Sequence, residues 1–229
     1  MDKLSSTTRA CIITDKAFDF ILKKVRPGVT ERQLAQEIRK FIYKEGARLA
    51  FPTIVAYGAN ASEIHHKPTD KKLVRKSEFI MFDLGAKVNG YCADMSRTVV
   101  FGKTTLKQKK IHQAVLNAQN LAIKQLNSLA IEGKEVIAAT IDIAARKYII
   151  DKGYPAIPHS LGHGVGKKVH EDPKIGPASA DIIKVGDIFT IEPGIYIKDF
   201  GGVRIEDVFL LTKDGIKPLT RSTRDIIEV

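Results

Sequence analysis

The most constraining feature of this sequence is a pair of acidic, hairpin-like stretches, one in each half of the chain. In residues 79–101, two apolar runs with β-pattern flank the turn signal Asn89-Gly90, and each run holds one aspartate. Residues 187–212 repeat the plan around a second turn at 199–202. We therefore predict a β-hairpin in each stretch, with carboxylates placed inside half-buried strands.

The acids of the two stretches correspond in position. Asp83 and Asp94 lie in the first, and Glu192 and Glu206 follow them by 109 and 112 residues, close to half of the 229-residue chain. That spacing indicates an internal duplication. A carboxylate taken out of water costs several kcal/mol unless a positive partner neutralises it, so four such acids indicate bound metal.

Helical patterns precede each acidic stretch. The first half predicts a helix with one apolar stripe through Ala10 and Ile21, then a second helix opened by a capping box of Thr30 and Gln33. The second half predicts a helix over 106–126 and another from about residue 134. The apolar face of that last helix is predicted to contain Ile137, Ile141, Ala144 and Tyr148.

Composition bounds the class of protein. With 44% hydrophobic and 28% charged residues, the chain predicts one globular domain over 1–229, with halves of about 1–104 and 105–229 and no separate N-terminal domain. No signal-like or membrane-spanning apolar run and only two cysteines predict a cytoplasmic protein without a membrane partner. The net charge of +11 is spread along the chain without interleaved aromatic residues, so nucleic acid is not the expected partner.

The acids and one histidine together predict a two-metal site. His163 lies in a glycine-rich stretch, 160–173, ahead of the second acidic hairpin. Four negative charges match two divalent cations, with the neutral imidazole as a fifth ligand. Five residues can hold two ions only if some carboxylates bridge them, at a separation of about 3.5–4 Å. An oxygen-rich set with one imidazole suits manganese, iron, cobalt or zinc.

Several motifs then identify a family. FDLGA, NGYCAD and SRT, followed by HSLGHGVG, VHEDP, IEPGIY and GGVRIED, resemble the catalytic domain of the proline-specific "pita-bread" metallopeptidases. These are the Xaa-Pro aminopeptidases and Xaa-Pro dipeptidases (prolidases), relatives of methionine aminopeptidase. The resemblance implies an α+β fold of two pseudo-symmetric halves, in which helices cover a curved antiparallel sheet. It also implies two divalent metal ions per chain, manganese first and cobalt next, with zinc and iron left open.

The resemblance also implies a role for each ligand. Asp83 would hold the first metal, Asp94 and Glu206 would bridge both, and His163 and Glu192 would hold the second. A hydroxide bridging the metals would attack the scissile carbonyl, with Glu192 as general base and then acid.

Four further residues match positions of the family near the substrate. His65 and His170 would stabilise the tetrahedral intermediate, whereas His159 and Arg204 would face the substrate or orient the ligands. The neighbouring His66 matches no such position and is predicted to be structural.

The implied activity is hydrolysis of the N-terminal Xaa-Pro bond of a peptide with a free N-terminus. Methionine aminopeptidase and a non-catalytic pita-bread binding module remain the alternatives. Two departures from the family pattern bear on specificity. Ile64 occupies the position at which a proline often precedes the first histidine, and Lys167-Lys168 replaces the usual more apolar or acidic pair after GHGVG. The oligomeric state is left open, with a homodimer among the alternatives.

Overall fold

The structure, a computed structural model, describes residues 2–229. Two helices open the chain, α1 (Lys3–Leu22) and α2 (Glu31–Lys44). The predicted capping box of α2 is confirmed: the Thr30 hydroxyl accepts from the Gln33 amide N–H, and the Thr30 N–H donates to the Gln33 side chain. Their apolar faces bury Ala10, Ile21 and Leu34 against the first half of the sheet structure.

The strands of the first half form two small antiparallel sheets. One has the order β2-β3-β6 and the other β1-β4-β5. Their bounds are β1 (Arg48–Leu49), β2 (Ile54–Tyr57), β3 (Glu78–Leu84), β4 (Ala86–Val88), β5 (Tyr91–Cys92) and β6 (Met95–Phe101), with a 3₁₀ helix at Gly58–Ser62 after β2.

The second half again begins with two helices, α3 (Leu106–Ile131) and α4 (Ala138–Asp151). Its main sheet has the order β15-β14-β11-β8-β9, and the pairs β12-β13 and β7-β10 lie beside it. The bounds are β7 (Val136–Ile137), β8 (Gly162–Gly164), β9 (Glu171–Ile175), β10 (Ile182–Ile183), β11 (Ile188–Ile191), β12 (Gly194–Ile197), β13 (Gly201–Arg204), β14 (Asp207–Thr212) and β15 (Gly215–Pro218).

Both predicted hairpins are confirmed, and each is built in two tiers. An outer ladder pairs β3 with β6 in one half and β11 with β14 in the other. Beyond it the chain continues into an inner hairpin, β4-β5 or β12-β13. Asp83 lies near the end of β3, whereas Asp94, Glu192 and Glu206 lie where the chain passes between the two tiers. The acids therefore lie at or near the breaks of the strands.

The predicted start and face of the fourth helix are wrong. Residues Val136–Ile137 are extended and pair with Ile182–Ile183, so α4 begins only at Ala138. β-branched side chains suit that short strand better than a first helical turn. Ile137 is consequently 39% exposed, and the buried stripe passes one residue later than predicted along most of the helix, through Ala138, Ile141, Ala145 and Ile149.

Two apolar clusters form the core, one around each pair of helices, and each includes strand residues of both halves. Helices α3 and α4 share a cluster with second-half strands and with Phe79 and Met81 of β3, whereas α1 and α2 share one with first-half strands and with Ile188 and Val208. The halves meet where the Glu206 N–H donates to the Ser96 carbonyl, 3.1 Å away. The predicted α+β architecture with antiparallel sheets is confirmed. Over residues 2–229, none of the helices combines the length and apolar character needed to cross a membrane.

Candidate active site

A cleft of about 720 Å³ opens where the two halves meet. Its walls combine the ends of β3, β8 and β13 with the loop after the 3₁₀ helix. All of the side chains predicted as metal-ligating, catalytic or substrate-facing line it, namely His65, Asp83, Asp94, His159, His163, His170, Glu192, Arg204 and Glu206. Residues up to 141 positions apart in sequence are thus brought to one site.

Within the cleft, the potential ligand atoms fall into overlapping groups. One oxygen from each of Asp83, Asp94 and Glu206 lies within 4.8 Å of the others, and the same holds for His163, Glu192 and Glu206. Glu206 belongs to both groups. His163 Nε2 lies 3.4 Å from Glu192 Oε1 and 3.7 Å from Asp94 Oδ2. The shared carboxylate lets two adjacent ions be held together.

Burial makes these carboxylates poor acids in the absence of a cation. Asp94 and Glu206 are only 5% and 2% exposed. Burial, reinforced by the neighbouring carboxylates, raises the pKa of both well above the usual range. Burial also raises the pKa of Glu192 to about 8, and the nearby Arg204 only partly opposes it. The site therefore favours protons or metal ions.

Arg204 is the positive group that organises the first-half side of the site. Its Nη2 donates to Asp83 Oδ2 at 2.6 Å, its Nε to Ser96 Oγ at 2.7 Å and its Nη1 to the Tyr196 hydroxyl at 3.0 Å. The Ser96 hydroxyl in turn donates to Glu206 Oε2 at 2.8 Å. A fixed guanidinium fork thus orients one acid directly and a second through a hydroxyl.

The donor set fits a pair of divalent ions. Arg204 offsets about one of the four carboxylate charges, so a net negative charge remains to attract bound cations. The buried Oδ1 of Asp83 has no hydrogen-bond partner among residues 2–229, although its other oxygen is paired. An orphaned buried oxygen of this kind costs free energy unless a ligand reaches it.

His163 on β8 has the chemistry of a neutral nitrogen ligand. Its Nδ1 lies 3.1 Å from the Gly164 carbonyl, so Nδ1 carries the proton and the lone pair of Nε2 faces the acids. Burial lowers the pKa of His163 to about 4, which keeps the ring neutral. The strand lies so close to β11 that a Cβ at Gly162 would be 2.0 Å from the Thr190 carbonyl oxygen.

A second network holds the backbone of Glu206 from behind. Buried Arg97 donates through Nη1 to the Glu206 carbonyl and through Nη2 to Asp207 Oδ1, both at 2.5 Å. Gln119 Nε2 donates to Asp207 Oδ2 at 3.0 Å. Because each group in this network has a partner, the network fixes the chain on which Glu206 is carried.

Comparison with known proteins identifies the family. The family model described as "Metallopeptidase family M24" matches residues 5–213. The chain belongs to metallopeptidase family M24. The Xaa-Pro dipeptidase of Pyrococcus horikoshii is 39% identical over 221 residues, which are 96% of this chain and 61% of that protein. The Xaa-Pro dipeptidase of Lactobacillus delbrueckii subsp. lactis is 40% identical over 215 residues, 93% of this chain and 56% of that protein.

Solved structures agree with that membership of M24. An X-Pro aminopeptidase from Thermotoga maritima superposes with a TM-score of 0.93 at 36% identity, over 99% of this chain and 63% of that one. A prolidase from Pyrococcus furiosus gives 0.89 at 37% identity, over 96% and 64%. The predicted resemblance and the pita-bread fold are confirmed. The chain spans less than two thirds of the length of these relatives.

Two side chains of this M24 site were not predicted from sequence, Ser96 and Tyr196. The Tyr196 hydroxyl donates to His159 Nε2 at 2.9 Å, while His159 Nδ1 donates to the Ser160 carbonyl at 2.8 Å. Burial lowers the pKa of His159 to about 4 and raises that of Tyr196 to about 12, so both stay neutral. Their signal lay within the motifs SRT and IEPGIY, although serine and tyrosine alone carry little information.

The three remaining histidines of the M24 cleft differ in environment. His65 and His170 are exposed at its rim, and the ring of His170 meets that of His163 edge-on at 4.3 Å between centroids. His170 also lies within 4.8 Å of potential ligand atoms of Asp94 and His163. His66 lines the same cleft but is buried, and its ring nitrogens face Glu31 and Glu63.

Proposed function

We propose that this chain hydrolyses the N-terminal Xaa-Pro bond of peptides with the help of two divalent metal ions. The observation that carries the proposal is the convergence of four carboxylates and the neutral Nε2 of His163 in two groups that share Glu206, together with the unpartnered buried oxygen of Asp83. Relatives that share 36–40% of the sequence are named for Xaa-Pro cleavage, which supports the choice of bond.

Five residues would hold the ions. Asp83 would bind one ion and His163 with Glu192 the other, and Asp94 and Glu206 would bind both. Bound ions would polarise the scissile carbonyl and acidify the attacking water. Manganese is the first expectation and cobalt the second, because oxygen ligands with one imidazole suit such ions.

The chain's own side chains would move the proton. Glu192 would take a proton from the water as its oxygen adds to the carbonyl carbon. It would then give that proton to the proline nitrogen as the C–N bond breaks, because this nitrogen carries no N–H and leaves as a neutral amine only when protonated. His65 and His170 at the rim would donate hydrogen bonds to the charge that develops on the carbonyl oxygen.

Substrate recognition would follow from the walls of the cleft. The acids attract the α-ammonium of a free N-terminus, which favours cleavage after the first residue. Apolar side chains that include Phe51, Ile54 and Val169 line the same cleft and would accept a proline ring by shape.

The two halves are proposed to act as one catalytic unit. Both cysteines, Cys11 and Cys92, are free and buried, which suits the proposed reducing compartment, the cytoplasm.

The deciding experiment compares three substrates under one metal condition. We expect a higher kcat/KM for Ala-Pro and for a pentapeptide beginning Ala-Pro than for a pentapeptide beginning Met-Ala, with manganese or cobalt. Fastest cleavage of the Met-Ala peptide would favour methionine aminopeptidase instead. If none is cleaved and the purified chain takes up no manganese, cobalt, zinc or iron, a binding module replaces the enzyme.

A further inference from the structure

His66 is held between two carboxylates immediately next to the cleft histidine His65. Its Nε2 lies 3.0 Å from Glu31 Oε2 and its Nδ1 lies 2.7 Å from Glu63 Oε2, and the residue is only 6% exposed. Glu31 comes from the first turn of α2, and Glu63 follows the 3₁₀ helix. One imidazole thus joins a helix to the loop that forms one wall of the cleft.

The geometry places a carboxylate oxygen against each ring nitrogen of His66, an arrangement that favours a proton on both. Glu63 Oε2 lies 2.7 Å from His66 Nδ1, and the Glu63 side chain is 65% exposed. Glu31 is fully buried, but hydrogen bonds from Thr69 and His66 outweigh burial and lower its pKa. A neutral ring would turn a lone pair toward one of these carboxylates. His66 is therefore an imidazolium with a charge-assisted hydrogen bond on each side.

We call His66 with Glu31 and Glu63 the anchor. Glu31 connects this anchor to other parts of the chain. Its two oxygens also accept from the Tyr57 N–H at 2.8 Å, from Asn60 Nδ2 at 2.8 Å, and from the N–H and hydroxyl of Thr69 at 2.9 and 2.6 Å. Strand β2, the 3₁₀ helix and the loop beyond His66 therefore meet at one buried carboxylate. Losing the charge of His66 would leave that carboxylate without its cation.

The same loop forms part of the catalytic cleft. Ile64, His65, Lys67 and Pro68 line the cleft on either side of the anchor. The Ile64 carbonyl also accepts from Arg204 Nη1 at 3.4 Å, a long second attachment. Because His66 is bonded directly to His65, the position of one backbone constrains the other.

We propose that His66, clamped as an imidazolium between Glu31 and Glu63, is a positioning residue that fixes His65 at the cleft and releases it when the proton is lost. The catalytic part of this inference rests on the proposed function. The anchor itself does not, because it involves none of the proposed metal ligands.

The charged groups that face His66 set the sign of its pH dependence. They are Glu31 from α2 and Glu63 from its own loop, whereas Asn60 from the 3₁₀ helix is uncharged and Lys71 donates to the Tyr57 carbonyl instead. Burial lowers the pKa of His66, but the two carboxylates outweigh burial and raise it above the ordinary value. The stabilisation is therefore complete below about pH 6.5 and is lost as pH rises through the higher folded-state pKa.

The first test measures the anchor without any substrate. NMR titration of the full chain should give His66 a pKa above about 6.5, and Glu63→Gln, an exposed change, should lower that pKa. Amide hydrogen exchange, expressed as protection factors, should show residues 63–69 losing protection in His66→Gln at pH 6. The matched control is His112→Gln on α3, since burial lowers the pKa of that 4% exposed histidine to about 4 and keeps it neutral.

The second test measures turnover of Ala-Pro with manganese. His66→Gln should lower kcat by about 10-fold at pH 6.5, with less change in KM and unchanged metal content. The difference from wild type should shrink as pH rises. A His66 pKa at or below 6.5, or unchanged exchange of 63–69 in His66→Gln, would overturn the anchor. Should wild type cleave no Xaa-Pro peptide, the proposed function fails, and the NMR and exchange results still decide the anchor.

Discussion

The two acidic hairpins share a backbone plan but contribute unequally to the cleft. The inner hairpin of the first half, β4-β5, is joined by two residue pairs, whereas β12-β13 of the second half is joined by four. The longer hairpin brings Arg204 to the cleft wall, where its Nη1 donates to the Tyr196 hydroxyl of the same hairpin. None of the described residues of β4-β5 lines it, and that hairpin packs against α1 instead.

The side chains that lie beside the acids also differ between the two halves. The guanidinium that pairs with Asp83 of the first half comes from Arg204 of the second. Glu192 of the second half lies 3.9 and 3.4 Å from ring nitrogens of His159 and His163, which come from the same half. The second half therefore supplies the guanidinium and the imidazoles beside the acids, whereas the first half supplies Ser96 and Arg97, which hold Glu206.

The largest effect should come from the carboxylate common to both groups of ligands. Glu206→Gln should lower turnover at least about 10³-fold and reduce manganese content, because its carboxylate is proposed to bridge both ions. Asp83→Asn, which changes only the first-half group, should retain more metal. Elemental analysis after reconstitution measures both, with circular dichroism as the control for folding. Wild-type metal content in Glu206→Gln would contradict the bridging role.

The next largest effect concerns the ion pair in which Arg204 of the second half neutralises Asp83 of the first half. Arg204→Gln leaves Asp83 as an unpaired buried charge and should cost about 3–5 kcal/mol in the free energy of unfolding of metal-free protein. The cost should shrink with manganese, because bound ions would neutralise the same acid. Urea unfolding with and without chelator measures it. Arg32→Gln is the control, because its exposed pair with Asp70 contributes about 0–1 kcal/mol. Equal losses with and without metal would argue against compensation.

Two neighbouring histidines test whether the second half separates metal binding from substrate contact. His163→Ala should weaken manganese binding, whereas His170→Ala should keep metal content near wild type and lower kcat about 10²–10³-fold. Their rings touch, so each variant is a close control for the other. Loss of metal from both would make His170 a ligand, as its closeness to Asp94 permits.

The smallest effect compares one glycine from each inner hairpin, Gly202 in strand β13 and Gly90 in the turn between β4 and β5. A Cβ at Gly202 would lie 2.2 Å from the Ala61 carbonyl oxygen, whereas nothing lies within 4 Å of one at Gly90. Gly202→Ala should cost about 1–3 kcal/mol and also change kcat/KM, because it displaces the strand that carries Arg204. Gly90→Ala, at φ +84°, should cost about 1–2 kcal/mol and leave kcat/KM unchanged. Equal changes in kcat/KM in the two variants would contradict the proposed difference between the two hairpins.

Local patterns were sufficient for the hairpins and for the first two helices. Thr30 and Gln33 define a helix start within four residues, and short apolar runs on either side of a turn signal define the strands. The start of α4 was mispredicted because its strand partner, Ile182–Ile183, lies some 45 residues later and leaves no mark near Val136. A contact made by distant residues overrides local periodicity.

The four acids were named from sequence because carboxylates inside apolar runs are costly, whereas His65, His159, His170 and Arg204 were named through the family motifs. A carboxylate such as Asp94 inside an apolar run attracts notice by its cost. Ser96 and Tyr196 are ordinary in strands, so only the bonds they make in the folded chain reveal their part. The clamp on His66 was likewise hidden, because Glu31 lies 35 residues earlier and at the start of a helix.

The bonds across the two halves also determine when the site can form. Arg204 reaches Asp83 over 121 residues, and Ser96 reaches Glu206 over 110. Contacts this distant in sequence close late, since the entropy of the intervening chain must be overcome first. A growing chain that has emerged only through its first half holds Asp83 and Asp94 without the guanidinium of Arg204 or the carboxylate of Glu206. Metal capture should therefore follow the docking of the halves rather than guide it.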